Sequence, residues 1–256
     1  MKPAIPTFAF IIILSSCLTS THRTEIEQQE RTNIDIIFPT DERIFPDNWY
    51  SATIAAKSTP LDSNEYDRTT QAINNALSMY PKSIILQNIK TIYVVKDMEF
   101  FGQPFGGTNS NSNVYMTNNG ADYGYTSLFL EKTFHHEFSS ILLRNYEHFF
   151  DTATFTSYNA PGFEYGEGGV EAIRENQVSL DYDKQFNELG LISQYSASSL
   201  ENDINLFAEN LFSPEKGFKR LINKYEGLRN KRSFMIDFYH QIDTSFTVEF
   251  FEDYLQ

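Results

Sequence analysis

Residues 131–146 read EKTFHHEFSSILLRNY and bring two histidines, glutamates and two serines into one largely apolar segment. On a helix, side chains four apart lie one turn apart on the same face. Two histidines at that spacing grip one metal ion, and a glutamate directly after the first is placed to take a proton from a metal-bound water. His136 and Glu137 fill the first two places of this His-Glu-x-x-His pattern, but Ser140 stands where the second histidine belongs. A neutral hydroxyl competes poorly with imidazole, carboxylate or thiolate for zinc. The other histidines do not repair the gap. His135 is turned about 100° from His136 on a straight helix. A longer pattern with glycine and a third histidine would need them at positions held by Leu143 and Tyr146; His148 falls two residues late, and His240 reads as a structural histidine of the C-terminal tail. The competing account is a hydrogen-bonded polar cluster without metal. Burying His-His-Glu in so apolar a helix is costly unless the groups are paired or metal-bound.

Such a site needs a rigid floor and a second wall. Residues 126–146 carry Leu128, Phe129, Phe134, Phe138, Ile141, Leu142 and Leu143 and predict a long, deeply buried helix. Residues 200–214, LENDINLFAENLFSP, predict a second one ended by Pro214, on which Glu201, Asn205 and Glu209 are spaced by four and share a face. EYDRTTQAINNALSMYP predicts a helix stopped by Pro81, IKTIYVVKDMEFF a strand and NVYMTNN a short second strand, with GQPFGGTNSNSN between them as turn chemistry. The tail from residue 217 predicts two or three amphipathic helices.

The ends and the composition set the compartment. Residues 1–17, MKPAIPTFAFIIILSSC, have a cationic start, an apolar run too short to span a bilayer and a Leu-Ser-Ser-Cys ending that resembles the bacterial lipobox. Cys17 is the expected lipid attachment site; as the only cysteine it rules out an internal disulfide and a thiolate metal site. Residues 18–33 are polar and read as a flexible tether, and residues 34–256 as one folded domain. A formal net charge of −14 argues against nucleic acid as a partner, because phosphate binding needs clustered Lys and Arg. It also leaves membrane attachment to the acyl chain rather than to charge.

FHHEF on one buried helix and FAEN on another resemble the zincin peptidases whose third metal ligand is a glutamate. In particular the chain is similar to the zinc-binding metallopeptidase lipoproteins associated with substrate-import systems of the bacterial outer membrane, from about residue 34 onward and including FGQPFGG, HHEF and FAE. The resemblance implies an α+β, zincin-like fold: a small sheet whose edge strand, NVYM here, lies over a cleft, and a helical C-terminal half. It implies zinc as cofactor, His136 as the first ligand and Glu137 as the base that activates water. Tyr195 resembles the tyrosine that steadies the developing oxyanion. Ser140 departs at the second ligand, and Asn205 occupies the position where relatives carry the ligand glutamate, so Glu209 or Glu201 is left to supply the carboxylate; Glu209 is the expected one.

Two functions follow. One is a zinc-dependent metallopeptidase of the cell envelope, lipid-anchored at the outer membrane and acting on peptide or protein beside import components. The alternative is a non-catalytic, peptidase-like lipoprotein that holds a peptide, a glycan or a transporter component. Loss of ligand types at Ser140 and Asn205 favours the second, and retention of Glu137 favours the first. A plain anchored spacer would need neither the buried polar triplet nor the large core.

Overall fold

The structure, a computed structural model, describes residues 34–253 and 255. The expected signal segment with Cys17 and the expected tether lie outside the described residues. Among the described residues no helix is long and apolar enough to cross a membrane.

Among the described residues, seven strands form two small sheets. β1 (Asp35–Ile37), β3 (Thr91–Val95), β7 (Asn113–Thr117) and β6 (Gly107–Asn109) make a four-stranded sheet in that order. The pairs β1–β3 and β3–β7 are parallel and β6–β7 is antiparallel. β2 (Lys57–Thr59), β4 (Asp97–Phe100) and β5 (Gln103–Phe105) form an antiparallel three-stranded sheet. The helices are α1 (Tyr66–Ser78), α2 (Lys82–Asn88), α3 (Ser127–Asn145), α4 (Thr152–Ser157), α5 (Gly169–Arg174), α6 (Lys184–Asn187), α7 (Leu200–Phe212), α8 (Phe218–Lys224), α9 (Glu226–Ile242) and α10 (Val248–Glu252). The architecture is α+β with a helical C-terminal half, as the sequence predicts.

The four-stranded sheet is covered on both faces, which is why β3 and β7 read as nearly continuous apolar runs. Ile92, Val94, Val114 and Met116 face the main core with the helices. Tyr93, Val95 and Tyr115 face a second, aromatic cluster with Phe45, Trp49 and Phe100, in which the Phe45 and Phe100 rings meet edge-on at 4.9 Å. α3 and α7 lie at the centre of the main core. α3 is buried at Leu130, Phe134, Phe138, Ile141 and Leu142, and every residue of α7 from Asn202 to Phe212 is buried. A helix buried all round needs its polar side chains paired inside the protein. Both helices start at hydroxyl caps: Thr126 Oγ1 accepts from the Phe129 N–H at 3.2 Å, and Ser199 Oγ from the Asn202 N–H at 3.1 Å.

Two strand expectations are corrected. IKTIYVVKDMEFF is two strands, β3 and β4, in different sheets. The chain changes sheets at Lys96, whose N–H donates to Thr59 O at 2.8 Å and so carries β4 over to β2. The NVYM strand, β7, is not the edge: β3 and β6 flank it. The edge strand over α3 is β6, inside the segment read as turn chemistry; β1 is the other edge. A Cβ on Gly107 would fall 2.5 Å from Glu137 Oε1 and 2.9 Å from Thr133 Cγ2, so the edge strand passes over α3 only with glycine there. Glycine is depleted from strands, and strand propensity therefore hides this one.

Candidate functional site

α3 and α7 run antiparallel and meet through a ladder of polar pairs, one rung per helical turn. Arg144 Nη1 lies 3.7 Å from Glu201 Oε1. Asn205 Nδ2 donates to Ser140 Oγ at 2.8 Å. His136 Nδ1 is 2.6 Å from Glu209 Oε1. Lys132 Nζ is 3.6 Å from Glu209 Oε2 and donates to Glu215 Oε1 at 2.5 Å. Spacings of four on both helices bring these groups into register. The pattern 201, 205, 209 is visible in the sequence; its partner, Lys132, His136, Ser140 and Arg144, has the same spacing and complementary charge and was the signal available for Lys132 and Arg144.

Above the ladder lies a cavity of about 660 Å³, whose polar wall includes His136, Glu137, Tyr195 and Glu209. Glu137 is only 7% exposed, and its Oε2 accepts from Asn109 Nδ2 of β6 at 2.7 Å. Asn109 Oδ1 in turn accepts from Arg144 Nη2. Burial raises the Glu137 carboxyl above its ordinary pKa, against the pull of His136 and Asn109. His136 is raised as well: burial disfavours its charge, but the hydrogen bond and charge of Glu209, with Glu137 and Glu201 behind, outweigh it. Tyr195 stacks on the His136 ring at 6.2 Å, and burial followed by the Glu137 and Glu209 charges keeps its hydroxyl protonated. The predicted residues His136, Glu137, Glu209 and Tyr195 thus share one cavity, whereas Glu201 pairs with Arg144 on the ladder. Asn109, which orients Glu137, lies in the segment read as turns and carried no signal of its own.

His135 faces away from this site. It is fully buried, with Tyr80 Oη 2.9 Å from Nδ1 and Ser213 Oγ 3.1 Å from Nε2. Burial, helped by the Lys132 charge, pushes it down from 6.5 to about 3. It is therefore neutral in the folded protein where an unfolded chain would protonate it. Folding stability should fall as pH drops below about 6.5, at up to roughly 1.4 kcal/mol per pH unit. His136, raised rather than lowered, stabilises the fold below its ordinary pKa and loses that contribution at higher pH, so the two windows do not coincide. Urea titrations between pH 6.5 and 5 should show a slope that His135→Gln flattens; an unchanged slope would assign the acid sensitivity elsewhere.

The fold defines a class. One solved structure, described as "a putative zinc-binding metallo-peptidase from Bacteroides caccae ATCC 43185", matches with a TM-score of 0.56 at 14% identity, over 94% of this chain and 92% of that one. The likeness establishes a metallopeptidase-like fold. No family model and no curated protein matches the chain.

The residues present do not fit the zinc that such a fold implies. A zinc site of this kind needs three protein ligands around an open position. His136 lines the cavity, but Ser140 and Asn205 are bonded to each other in the helix interface and do not line it; Ser140 is 2% exposed. The expected carboxylate, Glu209, has one oxygen on His136 Nδ1 and the other near Lys132. Asn205 Oδ1 has no partner and is buried, but a neutral amide oxygen suits hard cations rather than zinc. Among the described residues no group of three or more His, Cys, Asp or Glu side chains is arranged to hold a metal ion.

Proposed function

We propose that this protein is a metallopeptidase-like lipoprotein of the cell envelope that binds an extended peptide in its cleft and does not hydrolyse it through zinc. The observation that carries this reading is the Ser140–Asn205 hydrogen bond, which joins the two positions where the resembled peptidases carry metal ligands and closes the helix interface between them. Glu209, the expected carboxylate ligand, is taken up by His136 Nδ1 and Lys132 in the same ladder. A peptide suits the cleft because β6 ends its sheet, so an extended chain can add to that edge. Acylation of Cys17 would hold the domain at the outer membrane, where presenting peptides to an import component is a fitting role.

The competing reading, zinc-dependent hydrolysis with Glu137 as base, draws on the placement of Glu137 beside His136 in the cavity. Metal analysis separates the two. After equilibration with micromolar zinc and removal of the excess, the purified protein should hold well under about 0.1 ion per chain. Stoichiometric zinc that disappears in His136→Ala, together with peptide cleavage abolished by Glu137→Gln, would restore the enzyme.

A further inference from the structure

Four carboxylates, the Lys132 and Arg144 cations and the His136 imidazole surround the floor of the cleft. Lys132 is paired with Glu215, His136 with Glu209 and Arg144 with Glu201. Glu137 is the one left over. Its Oε2 receives a hydrogen bond from a neutral amide, and the residue is more than nine-tenths buried while lining the cavity. A buried carboxylate without a cationic partner is costly. In a metal site the ion would supply the missing positive charge. Here, where the residues do not fit zinc, a cationic ligand is the group that can supply that charge directly at the carboxylate. Apolar side chains line the same cavity: Phe129, two turns before Glu137 on α3, with Ile173, Val178 and Leu180, of which the last two remain 39% and 46% exposed. Such a wall matches the methylene stem of a long cationic side chain, whose head group is then carried to the carboxylate. The Tyr195 ring beside His136 adds an aromatic face to which a cation is also drawn.

We propose that the cleft selects a peptide bearing an ammonium or guanidinium group, a lysine or arginine side chain first of all, which ion-pairs with Glu137 while its stem lies along Phe129, Val178 and Leu180. This rests on the reading of the cleft as a metal-free peptide site. It changes the role of Glu137 from a base acting on water to the receptor for a ligand cation. Nothing in the sequence motif distinguishes these roles; the charge count around the cavity does.

The test uses fluorescence-labelled pentapeptides, blocked at both ends and differing only in a central lysine, norleucine or glutamate, binding to the purified protein in EDTA. A fourth, an alanine pentapeptide with a free amino terminus, is compared with its acetylated form. The lysine peptide should bind at least about tenfold tighter than the norleucine peptide, with the glutamate peptide weakest, and Glu137→Gln should erase the difference between lysine and norleucine. A preference for the free amino terminus that Glu137→Gln likewise erases also supports the cation and assigns its source to the chain end. Equal binding of all the pairs, or a lysine preference that survives Glu137→Gln, overturns the inference and leaves the peptide cleft standing. Binding of no peptide overturns both readings.

Discussion

The double substitution Ser140→His with Asn205→Glu should turn this protein into a zinc binder, taking up about one ion per chain with an affinity at least about 100-fold above that of the parent. The ladder between α3 and α7 makes this prediction specific. An imidazole at 140 sits one turn from His136, and a carboxylate at 205 faces it from α7, where the parent has the 2.8 Å Asn205–Ser140 hydrogen bond. The parent also holds what a new site would need next. Glu209 accepts from His136 Nδ1, the arrangement in which a ligating histidine is fixed by an outer carboxylate, leaving Nε2 for the metal. In the double variant Glu209 thus becomes a supporting residue, and Glu209→Gln in that background should weaken zinc by about 10- to 100-fold. Each single substitution supplies only one new ligand and should fall well short of the pair. The cost is crowding: Ser140 is nearly fully buried, and the larger ring should take about 1–3 kcal/mol from stability. A folded double variant that binds no more zinc than the parent would mean that the free nitrogen of His136 does not reach the space between the helices.

The second large effect lies on the other side of α7. Lys231 on α9 is fully buried and its Nζ is 2.5 Å from Asp203 Oδ2 on α7, which is buried to the same degree. Tyr165 Oη donates to the same oxygen at 2.7 Å, Asn159 Oδ1 accepts from Lys231, and the ammonium stands 4.8 Å from the centre of the Phe155 ring. Burial pushes Lys231 down and Asp203 up, each opposed by the partner's charge. Removing one member therefore strands the other in the core. Lys231→Met should cost about 3–5 kcal/mol and lower the unfolding midpoint by roughly 10 °C. Lys231→Met with Asp203→Leu should recover most of that loss, because a buried pair is worth little against apolar residues of similar volume although half a pair is expensive. A loss below about 1 kcal/mol in the single variant would contradict the assignment. Both sides of α7 are thus pinned by charge, towards α9 through Asp203 and towards α3 through Glu209, which fixes the wall of the cleft.

Much of this was legible in the chain. Phe134, Phe138, Ile141 and Leu142 marked the α3 core, Pro81 and Pro214 marked helix ends, and His136 with Glu137 marked the floor of the cavity. Tyr195 and Glu209 line the same cavity. The edge strand was not legible. Gly107 is chosen for a close approach to Thr133 and Glu137, which are distant in sequence, and a steric demand of that kind leaves no periodic trace. Asn109 was missed for the same reason, being one amide in a run of Asn, Ser, Gly and Thr.

What the sequence determined alone is whatever periodicity and side-chain chemistry encode locally: two central helices, their buried faces, and the absence of a second histidine four residues after His136. What only the tertiary structure decided is who answers whom across the helix interface. Ser140 and Asn205 look like two separate deficits until α3 and α7 are set antiparallel, when they become one hydrogen bond. Glu137 looks like part of a motif until the carboxylates of the ladder are seen each to hold a direct ion pair, while Glu137 meets a neutral amide. Both facts depend on distances between groups more than fifty residues apart, and register between packed helices is set by the whole core rather than by either segment.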